Sequence, residues 1–264
     1  MNHFKFLEFA GILLIPFLVV YIPILIGQRY GIYHGRKTAD LQQTPVGTVV
    51  GSAFGLLAFI LAFTFQIVTN RYDQRKALLL DEVTHIRTTY LRAGLLQEPF
   101  SSDTRKLLVE YVDLRIELAN DNSKLDFALK RSQEILDKCW NYCETLAEQD
   151  RSSEVYSLFT SSVNDLVDDF NQRITVTLEY RIPLVILSIL LIITFFTMLT
   201  LGYHFGISGK GGIMINLILA LIFSMVFFLI IVLDRPETGL AKLNQKPMIT
   251  LQNQLHGKKY NNVY

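Results

Sequence analysis

The stretch VGTVVGSAFGLLAFILAFTFQIVTNRYD, Val46 to Asp73, decides how the rest of the chain is read. From Val46 to Thr69 it holds no Asp, Glu, Lys or Arg, and a helix of that length rises about 36 Å, enough to cross roughly 30 Å of hydrocarbon. At 100° per residue, Thr48, Ser52, Gly55, Phe59, Phe63, Gln66, Asn70 and Asp73 fall within about 60° of one line. Lipid is a poor neighbour for such a stripe, because each polar group costs free energy in hydrocarbon unless it meets a partner or water. The stripe is therefore expected to face a central axis in an oligomer and to line a pore. Phe59, Phe63 and Ile67, spaced by four, are its candidate constriction, since an apolar ring can gate by dewetting while polar residues hydrate the mouths. Gly47, Gly51, Gly55, Ala58 and Ala62 form a nearly flat edge for helix packing, either between copies or within one subunit.

Outward from this stretch, half of the 264 residues are hydrophobic, and they collect toward the two ends of the chain. Four segments are long and apolar enough to span a membrane: Phe9 to Gly27, Val46 to Thr69, Ile182 to Phe205 and Ile213 to Leu233. The first follows Lys5 as a signal peptide would, but its apolar run is too long and lacks a small-residue cleavage site, so it reads as a retained span. Pro16 and Pro23 remove backbone donors within it and are expected to kink it. A polar loop, Gln28 to Pro45, follows.

No Gly or Pro interrupts the chain from Leu56 through Leu91, so the second span should continue as a helix in water. Gly94 and Pro99 end it, and Ser101, Ser102 or Asp103 can cap the next. Helical periodicity then recurs over Thr104 to Asn120, Lys124 to Gln149 and Glu154 to Tyr180, with turn chemistry at Asn120 to Ser123 and Gln149 to Ser153. The expected architecture is an all-α membrane protein in four parts: a first transmembrane pair (1–70), a cytosolic helical bundle inserted between the second and third spans (71–180), a second transmembrane pair (181–234) and a cytosolic tail (235–264). Arg71, Arg75, Lys76, Arg173, Arg181, Arg235, Lys242 and Lys246 flank one side of the spans, against Arg29, Arg36, Lys37 and Lys210 on the other. The charge bias places the bundle and both termini in the cytoplasm, and the protein in the cell inner membrane.

A net charge of +1 with interleaved signs argues against nucleic acid as a partner. Cys139 and Cys143 share a helix face, a poor geometry for a disulfide and too few ligands for zinc, so they read as packed thiols. The sequence holds no glycine-rich phosphate loop, no H-E-x-x-H and no nucleophile elbow, and its histidines are scattered. No enzyme, cofactor or metal site is expected. His85 is the one histidine on the extension of the second span. Its intrinsic pKa near 6.5 suits a pH sensor, although a surface or packed histidine has the same signature.

The order of parts resembles the bestrophin-like domain proteins. Phe65 to Arg75 (FQIVTNRYDQR), Asp81-Glu82-Val83, Thr88 to Leu96 (TTYLRAGLL) and the Asp234-Arg235-Pro236 to Gly239 signature carry the resemblance, which covers Val46 to Leu255. It implies a homo-oligomer, a pentamer, whose second span lines an anion pore with a narrow apolar neck matched here by Phe59, Phe63 and Ile67. No acidic cluster resembles the calcium clasp of animal bestrophins. The two functional readings are an oligomeric channel for an inorganic ion, and a membrane scaffold or regulatory subunit whose cytosolic helices bind a partner.

Overall fold

The computed structural model describes residues 3–36, 45–209, 211–235 and 241–257. Lys37 and Asp40 of the first loop, Lys210 and the 236–239 part of the D-R-P signature lie outside the described residues. All regular structure among the described residues is helical. The elements are α1 (His3–Gly35), α2 (Val46–Ala93), α3 (Phe100–Asn120), α4 (Leu125–Gln149), α5 (Glu154–Ile174), α6 (Leu184–Ser208), α7 (Ile213–Asp234) and α8 (Lys246–Leu255). A short 3-10 turn (Asn122–Lys124) precedes α4, and a π-helical turn (Thr175–Glu179) follows α5. Helices α1, α2, α6 and α7 are each long and apolar enough to cross a bilayer, and the protein is a membrane protein.

Two compact units share helix α2. The first comprises Met1–Tyr72 and Arg181–Ala241, the second Asp73–Tyr180 and Lys242–Tyr264. In the first, α1 packs along α6 and α7, and Val20, Ile24, Leu57, Leu61, Val68, Leu190, Met198 and Phe227 are core residues. In the second, α3 packs on α4 and α8, and α4 on α5, over a core that includes Ile86, Leu108, Tyr111, Leu136, Phe159, Leu166 and Met248.

Three local expectations change. Gln28 to Gly35 is helical rather than a loop, because α1 continues along α6, and Gln28 joins α7 by accepting from Asn216 Nδ2 at 2.6 Å. Helix α3 starts at Phe100 without a Ser or Asp cap; the Glu98 carboxylate accepts from the Ser102 amide at 3.2 Å instead. The helix expected to run to Tyr180 gives way after Ile174 to a single π-helical turn, Thr175–Glu179, too short for its i→i+5 step to show as a change of period in the sequence. Within the 235–264 tail, α8 buries Met248 and Leu251.

Candidate functional site

Helix α2 has 48 residues and so rises about 72 Å, more than twice the hydrocarbon thickness. One of its faces is buried along its whole length: Val50, Leu57, Leu61, Thr64, Val68, Arg75, Leu79, Glu82, Ile86, Thr89 and Ala93. Helical phase puts these residues about 180° from the Thr48 line, which makes the expected stripe the opposite face. All of Thr48, Ser52, Gly55, Phe59, Phe63, Gln66, Asn70 and Asp73 are exposed, Phe59 at 70% and Phe63 at 58%. Ile67, on the flank, is half-buried.

The small residues beside the stripe are open as well. Gly47, Gly51, Ala58 and Ala62 are exposed, and a Cβ placed on Gly51 or Gly55 would meet nothing within 4 Å among the described residues. Gly47 does come near another element, its added Cβ lying 3.7 Å from the His204 ring. Three polar side chains of the stripe are bonded locally. Ser52 Oγ donates to the Thr48 carbonyl at 3.0 Å, and Gln66 Nε2 donates to Asn70 Oδ1 at 2.6 Å.

Close glycine packing occurs elsewhere, at the α1–α6 crossing. A Cβ on Gly27 would lie 2.8 Å from the Tyr203 amide nitrogen and nearer still to the Leu199 carbonyl oxygen; one on Gly202 would lie 2.9 Å from Ile24 Cα. Gly31 and Gly206, one turn on, meet each other's helix in the same way. Each helix thus carries a small-xxx-small pair that lets backbones touch. The spacing G27-x3-G31 and G202-x3-G206 was visible in the sequence, although α2 had the more prominent series.

At the base of the first unit, Arg71 Nη1 stands 3.4 Å from Asp234 Oδ1, which also accepts from the Ile182 amide at 3.1 Å. The aspartate of the D-R-P signature therefore ties the end of α7 to α2 and to the entry of α6.

In the second unit, Glu82 and Arg75 of α2 are both buried. Glu82 accepts from Tyr111 Oη at 2.7 Å and from Arg115 Nε and Nη2 at 3.0 and 3.1 Å, and Arg173 Nε approaches it at 3.3 Å. Burial alone would raise the Glu82 pKa, but the charges of Arg115 and Arg173 and the hydrogen bonds from Arg115 and Tyr111 hold it down at about 2. The Tyr111 hydroxyl is pushed upward by burial and by the adjacent Glu82 charge. His85, half-buried, places Nδ1 2.6 Å from Asp169 Oδ2 on α5. Burial raises Asp169 above the usual carboxylate range, with Glu82 and Asp81 adding to the rise and His85 opposing it. The sequence reading missed Tyr111, Arg115, Asp169 and Arg173; the available signal was that Glu82 falls seven residues after Arg75 and fourteen after Val68, on the buried phase.

Cys139 and Cys143 are free and buried, as packed thiols should be. No group of His, Cys, Asp and Glu able to hold a metal occurs among the described residues.

The bestrophin-like domain model matches residues 18–248. No curated protein matches the chain. Among solved structures, crystal forms of a bacterial bestrophin homologue from Klebsiella pneumoniae, each carrying a different point mutation, share the fold. One aligns with TM-score 0.62 at 17% identity over 95% of this chain and 98% of its own; a second with TM-score 0.62 at 15% identity over 96% and 99%; a third with TM-score 0.61 at 17% identity over 95% and 98%. The match over most of its length, on a fold shared with these structures, means that the chain belongs to the bestrophin-like domain family.

Proposed function

We propose that copies of the chain surround a central axis with the open face of α2 turned inward, and that this ring, a pentamer by family resemblance, conducts an inorganic ion across the cell inner membrane. The observation that carries this reading is the exposure of every residue of the Thr48 to Asp73 stripe while the opposite face of the same helix is buried. An exposed face that mixes amides, hydroxyls, a carboxylate and two phenylalanines suits neither lipid nor a dry helix contact. A water-filled axis satisfies it, with Phe59, Phe63 and Ile67 narrowing the path between hydrated ends. Gly51, Gly55, Ala58 and Ala62, open on the single chain, then let neighbouring α2 helices approach closely. The charge bias along the sequence supports a cytoplasmic position for the second unit and both termini. His85, at the edge of the α2 face and bonded to Asp169, is the candidate pH sensor of such a channel.

A scaffold without conductance is the second reading. Leu91 near the end of α2, Leu95 in the turn after it and Leu158 on α5 are all at least half exposed, and Arg92 bonds the Leu158 carbonyl at 2.7 Å, which supports an apolar surface for a partner protein in the second unit. Two measurements decide. Light scattering of the purified protein, corrected for detergent, should give a ring, and planar bilayers containing it should carry current. A monomer, or a well-assembled ring silent across salts and pH, refutes the channel.

A further inference from the structure

Beside the α1–α6 crossing lies a cavity of about 350 Å³, lined by Ile26, Gly27, Tyr30, Leu199, Thr200 and Tyr203. Gly27 supplies no side chain to fill it. Its walls present apolar surface, because their polar groups are engaged elsewhere. Thr200 donates its hydroxyl to the Phe196 carbonyl at 3.0 Å, and the Tyr203 hydroxyl lies 2.7 Å from His34 Nδ1. The rings of Tyr30, His34 and Tyr203 cluster at the Gly35 end of the groove. Water finds no set of polar partners on such walls, and an empty void forfeits the dispersion contacts of its lining. Both α1 and α6 are long and apolar enough to cross a bilayer, and Ile26 and Tyr30 are exposed, so the medium at the mouth of the groove is hydrocarbon.

The adjoining face of α1 follows the polarity profile of a bilayer. Ile22, Ile26, Arg29, Tyr30, Tyr33 and Arg36 are all exposed and lie within about 80° of the Ile26 direction. From Ile22 to Arg36 the axis rises about 21 Å, the depth of one leaflet with its headgroups. Over that rise the face passes from isoleucines to tyrosines and arginines, as the surroundings pass from hydrocarbon to interface and phosphate. The charge on this face is of one sign. The chain has no Asp or Glu between Glu8 and Asp40, from Val46 to Tyr72, or from Ile182 to Leu233. Arg29 and Arg36 have no carboxylate partner among the described residues.

We infer that the groove is a lipid site, which holds one acyl chain of an anionic phospholipid while the phosphate lies over Arg29 and Arg36. The chain supplies the dispersion contacts that the walls lack, and the guanidiniums suit phosphate oxygens. A zwitterionic lipid brings the same chain but also a cation, which Arg29 and Arg36 repel, so the headgroup decides the affinity. The site lies within the first unit and does not depend on conductance.

The test uses the full-length protein in mild detergent, with phosphatidylglycerol or phosphatidylcholine of matched chains added at equal mole fraction. Phosphatidylglycerol should raise the Tm by about 3 °C or more above phosphatidylcholine and should stay bound in native mass spectrometry. Arg29→Gln combined with Arg36→Gln, both at exposed positions, should abolish that difference and leave the lipid-free Tm within about 1 °C of wild type. Thr200→Trp fills the groove and should remove bound lipid of both kinds, with helicity checked by circular dichroism. Equal Tm values in the two lipids, or a difference that survives the arginine changes, overturn the anionic-lipid inference. Bound lipid unmoved by Thr200→Trp places the lipid elsewhere and overturns the groove. A helical Thr200→Trp protein that no longer assembles by light scattering makes a second copy the occupant, and the inference falls equally.

Discussion

Arg115 grips Glu82 with two nitrogens, Nε at 3.0 Å from Oε1 and Nη2 at 3.1 Å from Oε2, across 33 positions of chain. Because Glu82 is fully buried, removing Arg115 leaves its charge to Arg173 and Tyr111 alone, and breaking a buried pair costs up to roughly 3–5 kcal/mol. Arg115→Ala should therefore lower the unfolding free energy of the second unit by that order, measured by denaturant titration with circular dichroism. Glu82→Gln should cost at least as much, because it leaves the largely buried Arg115 and Arg173 guanidiniums without their counter-charge even though the amide oxygen can still accept from Tyr111.

The same cluster gives a pH dependence. Glu82 is held at about 2 in the folded protein, against 4.5 as its ordinary value. A carboxyl with a depressed folded pKa contributes stability that is complete above its unfolded pKa and is lost as pH falls through the folded one. The contribution, roughly 3 kcal/mol at neutral pH, should fade between about pH 4.5 and pH 2. Thermal unfolding in detergent across that window checks it. Glu82→Gln should flatten the slope; an unchanged slope would locate the acid sensitivity in other carboxylates.

The front face of α2 was legible in the sequence because helical phase is a local property. The apolar and polar positions of Thr48 to Asp73 declare a line without knowledge of any neighbour. The same phase placed Glu82 and Arg75 on the back, but the groups that compensate the buried Glu82 charge, Tyr111 and Arg115 on α3 and Arg173 on α5, lie far along the chain. Glycine series were ambiguous for a related reason. Gly51 and Gly55 in α2 and Gly27 and Gly31 in α1 have the same spacing, and whether a second backbone lies against them depends on the course of α6. The continuation of α1 past Gln28 was hidden because polar residues at a span end look like an exit, whereas Gln28 is matched by Asn216 on α7.

That glycine contrast predicts opposite outcomes for one substitution. Gly202→Ala pushes a methyl into the Ile24 backbone, which has no flexible end to yield, and should destabilise the α1–α6 pair by about 1–3 kcal/mol. Gly51→Ala meets open space and should leave the single chain as stable or raise its helix stability by about 1 kcal/mol. If α2 helices pack together in a ring, Gly51→Ala should instead weaken assembly. Thermal stability and light scattering of both variants separate the two effects.

The cysteines give a probe of core integrity. Burial pushes the Cys139 thiol up to about 12 and Cys143 to about 11, so almost no thiolate exists at neutral pH. Both should resist a maleimide in the native protein and label once it is denatured. Rapid labelling of the native protein would mean that the α4–α5 packing opens in solution.

Phe59 and Phe63 face open space one turn apart, and their rings are the largest side chains on the α2 line. If that line surrounds the axis, they set its narrowest apolar section, where water leaves before the walls touch. Replacing either by Ala removes most of a ring from every copy at one level. Phe59→Ala and Phe63→Ala should each raise single-channel conductance or increase the open fraction, and the double variant should exceed both. Neither residue contributes to the buried face of α2, so assembly measured by light scattering should be preserved. Currents identical to wild type in all three variants would show that ions take a path lined by another helix.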